Sequence, residues 1–229
     1  MTLNTSPAPS PERITVRGRY ITITPLDPAL HGDSLWAGTG GAQNAALWDY
    51  MPDGPFPDRA GFNARLQARA ESPDPMFFAI VDNASGHAIG HASLMRIDTK
   101  NRVIEVGGIM YSPRLKHTPG GTEAMYLLAR YAFDDLGYRR YEWKCNSLNA
   151  PSRAAALRYG FAFEGIFRQH MIVKGRNRDT AWFSMLDSEW PARKQVFEEW
   201  LRPDNFDANG LQKSRLRRVS GGTDRSSGR

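Results

Sequence analysis

With one cysteine in 229 residues, Cys145, the chain can close no internal disulfide and has no multi-cysteine metal site. It contains no apolar run of the roughly 18 residues that a membrane span requires. Its opening residues, MTLNTSPAPSPER, are polar and proline-rich and lack the apolar stretch of a secretory signal. The five histidines show no metal-ligand spacing, and neither a Gly-Lys-Ser/Thr phosphate loop nor a GxGxxG turn occurs. These absences point to a cytoplasmic protein that needs no metal and no membrane.

What is present is enough for a full core. The residues are 41% hydrophobic and 11% aromatic, which suits one domain of this length. The formal charge is +6, and half of it sits in residues 203–229, where six cations meet three aspartates. A nucleic-acid binder would concentrate such charge on a folded face, so a solvated tail is the better reading and nucleic acid is not the expected partner. The sequence divides into a flexible leader (1–12), a single domain (13–202) and a disordered basic tail (203–229).

Within the domain, RYITITPL (Arg19–Leu26) alternates as an opening strand, and Arg59–Glu71 reads as a short helix. Strands are expected at Met76–Val81, Ala88–Ile97, Val103–Tyr111 and Arg140–Cys145. Gly120–Leu136 is apolar around most of its circumference, which predicts a helix buried on several sides and stopped by Gly137. Asn149 caps a second helix that runs to Tyr159. Phe161–Val173 and Thr180–Leu186 form a hairpin across GRNRD, and Glu189–Leu201 is a last helix. The pattern is α+β, or mixed α/β.

Three segments carry candidate chemistry. Thr118 is a good helix cap, Pro119 fits the first helical position, and Gly120 and Gly121 follow with free amides; Arg114 and Lys116 lie nearby. A helix N-terminus of this kind can hold an anion, above all a phosphate. In NAPSRAAALRYGF, Asn149 caps the helix and the Ser152 hydroxyl lies in its first turn, where it could protonate a leaving group or merely satisfy the helix end. Glu105 in VIEVGGIM and Glu164 in FAFEGIF stand among apolar residues, which would raise proton affinity and suit a general base. Trp36, Trp48, Tyr50 and Phe56 are core aromatics by composition, or the lining of an acceptor pocket. Cys145 on its strand reads as a small buried hydrophobe.

These pieces, in this order, resemble the GNAT superfamily of acyl-CoA-dependent N-acyltransferases, and within it the branch of ribosomal-protein N-terminal (alanine/serine) acetyltransferases. The resemblance rests on TEAMYLLARYAFDDLGYRR (Thr122–Arg140) and LNAPSRAAALRYGFAFEG (Leu148–Gly165), supported by WDYMPDGPF (Trp48–Phe56) and KGRNRDTAWFSMLDSEWP (Lys174–Pro191). It implies a mostly antiparallel sheet, flanked by helices, that splays between two central strands to take acetyl-CoA as co-substrate. The strand Ile104–Tyr111 would pair with the pantetheine arm, with Ile109, Met110 and Tyr111 beside the thioester. The loop Arg114–Thr122 would hold the pyrophosphate through Arg114, His117, Thr118, Gly120, Gly121 and Thr122.

Asn149 and Ser152 match further cofactor contacts, with Ser152 the proton donor to the departing thiolate. Glu164 matches the base of this branch and Glu105 that of others. The family's loop reads Arg/Gln-x-x-Gly-x-Gly/Ala, so His117 and Pro119 depart from it at the two small positions. The implied activity is transfer of an acetyl group to a primary amine, either a peptide N-terminus or a small molecule. The rival is a catalytically silent protein of the same fold that binds a ligand or partner. Dimers are common among related proteins, so a homodimer is compatible with the resemblance.

Overall fold

The computed structural model describes residues 4–208 and 210–217. It contains strands β1 (Val16–Arg17), β2 (Ile21–Pro25), β3 (Met76–Asp82), β4 (Ala88–Asp98), β5 (Val103–Tyr111), β6 (Arg140–Asn146), β7 (Ala162–Val173) and β8 (Arg176–Leu186). The helices are α1 (Pro28–Thr39), α2 (Arg59–Glu71), α3 (Pro119–Arg130), α4 (Ala150–Tyr159) and α5 (Trp190–Trp200). The strands form one sheet in the order β1-β2-β3-β4-β5-β6-β8-β7. Neighbouring strands run antiparallel except β5 and β6, which are parallel.

Period-two alternation sorts the side chains to two faces. Ile21, Ile23, Phe78, Ile80, Ile104, Val106, Tyr141 and Phe183 pack with α3 and α5 in the main core. Phe77, Ala79 and Met110 face the other way and pack with Leu35, Trp48, Phe62 and Leu66 from the region of α1 and α2. Every residue of α3 from Gly120 to Ala129 is buried, as its all-round apolarity predicts. Its start follows the sequence as well: Thr118 Oγ1 accepts from the Gly121 amide, and Pro119 occupies the first turn.

Some boundaries differ from expectation. The α3 helix does not run regularly to Leu136 but closes with a π turn over Tyr131–Asp135. In the β7–β8 hairpin the turn is Lys174–Gly175, both residues at positive φ (50° and 71°), so Arg176–Asp179 are strand rather than loop. Consecutive positive-φ residues match the twist of a two-residue hairpin turn, which Lys-Gly supplies one step before the expected loop.

The polar ends also pack further than expected. Ala8 is buried, with its amide bonded to the Thr99 carbonyl, and the Glu12 amide donates to Tyr131 Oη. At the other end Leu216 is buried and Arg217 pairs with Glu199 at 2.7 Å. A few anchoring side chains thus bind segments whose average composition reads as free chain. The remainder of the basic tail, 218–229, lies outside the described residues.

The feature that positions the site is the parting of β5 from β6. Their register covers Val103↔Arg140, Ile104↔Tyr141 and Glu105↔Glu142, after which β5 stays paired only with β4 and β6 only with β8. Opposite β4 the register of β5 also shifts, and Gly108 takes φ +56° there. A Cβ at Gly108 would lie 2.9 Å from the Phe77 ring and 3.0 Å from Ser93 Oγ, so both conformation and space demand glycine.

Candidate active site

A chain of alternating charges starts where the two strands part. Glu105, the last paired residue of β5, has a side chain only 3% exposed and is held by Lys144 Nζ at 2.8 Å and Arg96 Nη1 at 2.7 Å. Lys144 also donates to Glu142 at 2.5 Å, and Glu142 accepts from Arg140 Nε at 2.6 Å. Arg140 then grips Glu164 with two bonds of 2.7 and 2.5 Å, and Ser184 Oγ donates to the same carboxylate at 2.6 Å.

Glu164 is therefore not a carboxyl in apolar surroundings. The Arg140 hydrogen bonds hold its pKa below the ordinary carboxylate value, outweighing the opposite push of burial. It stands on the edge strand, two strands from the parting, whereas Glu105 stands at the parting itself. The sequence reading missed Arg96, Arg140 and Lys144. The period-two pattern of RYEWKCN, which puts Arg140, Glu142 and Lys144 on one face, was the available signal.

On the face of β6 opposite Lys144, Asn149 Oδ1 accepts from the Ser152 amide and caps α4. Ser152 Oγ accepts from Trp143 Nε1 at 3.0 Å and is hydrogen-bonded to Cys145. Burial pushes the Cys145 thiol up, only partly offset by Ser152, which disfavours the thiolate that a nucleophile would need.

The loop before α3 is less open than the glycines suggest. The amides of Leu115 and Lys116 both bond to the Ser112 carbonyl, and the Thr118 amide bonds to that of Leu115. Gly120 and Gly121 are buried: a Cβ would lie 2.8 Å from Ile21 Cγ2 at the first and 2.9 Å from the Leu115 carbonyl at the second. The neighbouring chain fills the space a side chain would take at both glycines, and of the two amides read as free that of Gly121 is bonded to Thr118 Oγ1, while Gly120 lines the groove beside the loop. Arg114 and His117 are exposed, His117 at φ +61°, and Thr122 is buried and accepts from Arg158. A groove of about 280 Å³ beside the loop is flanked by Arg19 and Arg114.

The aromatic candidates separate. Trp48 is 1% exposed, bonds the Thr39 carbonyl and packs edge-on against Phe56; Phe56 and Trp36 both pack edge-on against Phe62. Trp48 is core, and Trp36 and Phe56 are half-buried against that core. Tyr50 alone is exposed, and its hydroxyl donates to the Leu148 carbonyl. At the hairpin tip Lys174 Nζ donates to the Trp48 carbonyl at 2.7 Å, so β7–β8 arches over to the segment after α1. Beneath that segment Arg69, 4% exposed, joins Asp53 to His91 and lies between the Trp48 and Phe77 rings.

Comparison with known proteins decides the family. The sequence profile of the Acetyltransferase (GNAT) domain matches residues 21–162. This chain belongs to the GNAT acetyltransferase family. The resemblance read from the residues is thereby borne out, as is the α+β fold with its mixed sheet.

Among solved structures, a GCN5-related N-acetyltransferase from Brucella melitensis is 52% identical, with TM-score 0.91 over 93% of this chain and 96% of that one. YdaF of Bacillus subtilis, a candidate ribosomal N-acetyltransferase, is 32% identical over 109 residues, which are 48% of this chain and 59% of YdaF. The match thus spans little more than half of that relative. The ribosomal-protein-S5-alanine acetyltransferase of Vibrio fischeri shares the fold: TM-score 0.61, 16% identity, 77% of this chain and 98% of that one.

The cleft of this GNAT chain fits the co-substrate of its family. Beyond Glu105 no strand pairs with the β6-facing edge of β5 among the described residues, which leaves main-chain groups for an amide-bearing pantetheine arm. Arg114, Lys116 and the N-terminus of α3 give the loop positive potential. Among the described residues no cluster could hold a metal ion, and no helix is long and apolar enough to cross a membrane.

Proposed function

We propose that this protein is a cytoplasmic N-acetyltransferase that moves an acetyl group from acetyl-CoA to a primary amine, by direct attack in a ternary complex. The observation that carries this reading is the parting of β5 and β6 beyond the Glu105–Glu142 rung, with Glu105 on one side and Ser152 on the other. The main chain of β5 aligns the pantetheine arm, and the amides of Ile109–Tyr111 polarise the thioester carbonyl. Glu105 accepts a proton from the acceptor ammonium, directly or through water. The amine nitrogen forms the new C–N bond as the C–S bond breaks, Ser152 delivers a proton to the sulfur, and the nitrogen's surplus proton returns to the Ser152 oxygen. Glu164, bound to Arg140, holds the far end of the charge chain.

The acceptor is a peptide N-terminus or a small-molecule amine. The test combines calorimetry of acetyl-CoA with thiol release across a panel of peptides and amines. Micromolar binding and amine-dependent thiol release are expected, and absence of binding at millimolar acetyl-CoA overturns the reading. The inward-turned amides of Leu115, Lys116 and Thr118 favour a second reading, a ligand-binding protein of this fold. Binding without thiol release from any amine would select it.

A further inference from the structure

Arg178 stands apart from the other cations of the cleft. On β8 it pairs with Met171, two residues beyond Thr180, where β6 ends against β8 at Asn146. The hairpin continues past that point to Lys174, bonded to the Trp48 carbonyl, so Arg178 lies on the span that bridges the cleft from β6 to the segment after α1. Alternation places Arg178, Thr180 and Trp182 on one face of β8, which for Trp182 is the face carrying Lys144 over its ring at 3.9 Å.

Two of the three bring buried N–H donors without partners, Arg178 Nε and Trp182 Nε1. Arg96, Lys144 and Arg140 all have carboxylates, whereas Arg178 has neither an ion pair nor a hydrogen bond among the described residues. Its neighbours by charge are Cys145, Arg96 and Glu105, groups of the three strands around the parting, and burial lowers its pKa.

Arginine and the indole N–H can only donate, so each of these two buried N–H groups, about 13 Å apart along β8 on half-buried side chains, calls for an acceptor of its own. Leaving such donors unmatched is costly, and a guanidinium is matched best by a planar carboxylate. Glu105 cannot serve, because Arg96 and Lys144 already hold it. We infer that Arg178 binds a carboxylate of the acceptor, which makes the acceptor a small amino-carboxylate such as a free amino acid, rather than a peptide N-terminus, whose α-carbonyl is an amide. This inference rests on the acetyltransfer reading for the amine but not for the carboxylate site.

The experiment therefore has two arms. In the first, N-acetyl amino acids and their C-terminal amides are titrated into the protein saturated with CoA, using wild type, Arg178→Gln and Arg178→Lys. Acids are expected to bind wild type about tenfold to a hundredfold more tightly than amides. Arg178→Gln should erase that difference and Arg178→Lys restore part of it, with CoA affinity the same in all three. In the second arm, thiol release from acetyl-CoA is measured with amino acids and amino-acid amides. Arg178→Gln should raise KM for the acids and leave kcat within about twofold.

Equal binding of acids and amides by wild type, or an undiminished preference in Arg178→Gln, overturns the carboxylate site. Carboxylate binding that depends on Arg178 without any thiol release leaves the site standing and removes the transferase reading. Thiol release that favours amides does the reverse.

Discussion

Lys144 Nζ and Glu105 Oε2 lie 2.8 Å apart, both side chains at most 5% exposed, at the rung where β5 and β6 separate. The same ammonium holds Glu142, so the acid chosen as base is embedded in a network rather than standing alone. A neutral isostere keeps the shape and the Lys144–Glu142 pair while removing the proton acceptor. Glu105→Gln is therefore expected to lower kcat by about 10²–10³-fold with little change in acetyl-CoA affinity. Glu164→Gln, at the exposed edge, should stay within about tenfold of wild type. Steady-state kinetics of the pair checks this, and the opposite ranking would return the base to Glu164.

His91 makes stability depend on pH in a defined direction. Burial, and then the Arg69 guanidinium, hold its imidazole well below the ordinary value of 6.5. Below that pH the unfolded chain takes up a proton that the folded chain refuses, so stability is level above 6.5 and falls as pH drops through it. The urea midpoint of wild type should decline between pH 6.5 and 5 more steeply than that of His91→Gln. Parallel declines would place the effect on other groups.

Cys145 and Ser152 share a hydrogen bond but are assigned opposite importance. Burial disfavours the Cys145 thiolate, and direct transfer needs no covalent intermediate. Cys145→Ala should keep kcat within about twofold, whereas Ser152→Ala should lower it by about 10- to 100-fold through the lost general acid. Substantial inactivation of a well-folded Cys145→Ala would argue for a covalent route.

Elements with a strong local signature were legible in the residues. Thr118-Pro119 and Asn149 mark helix starts because a short polar side chain satisfies an orphan amide wherever the fold places it. Alternation likewise set the bounds of Val103–Tyr111 without reference to a partner strand. What stayed hidden depends on residues far apart in sequence. Glu164 lies in an apolar stretch, yet Arg140, 24 residues away, reverses the environment that the stretch suggests. Nothing near Gly120 and Gly121 in sequence tells that Ile21 and Leu115 fill the space beside them. Arg178 carries no local mark at all, because its distinction is a missing partner.

Arg69 connects the acceptor side of the cleft to the sheet. Its Nη2 bonds Asp53 at 2.8 and 3.1 Å while Nη1 donates to His91 Nε2 at 3.0 Å, and burial brings its pKa down to about 10. The planar fork reaches both partners at once between two aromatic rings, which a lysine ammonium cannot reproduce. Arg69→Lys keeps a cation near Asp53 but frees the segment that carries Trp48, Tyr50 and Asp53. Because that segment meets Leu148 through Tyr50 and Lys174 through the Trp48 carbonyl, loosening it should widen the acceptor entrance and leave the β5 edge intact.

The expected result is an acceptor KM raised about tenfold, with kcat and the acetyl-CoA Kd little changed, a shift of roughly 1.4 kcal/mol. Arg69→Met, which removes that buried partner and leaves Asp53 to Arg65, should instead destabilise the whole fold by about 1–3 kcal/mol. Loss of acetyl-CoA affinity in Arg69→Lys at unchanged melting temperature would show that Arg69 supports the cofactor side rather than the acceptor side.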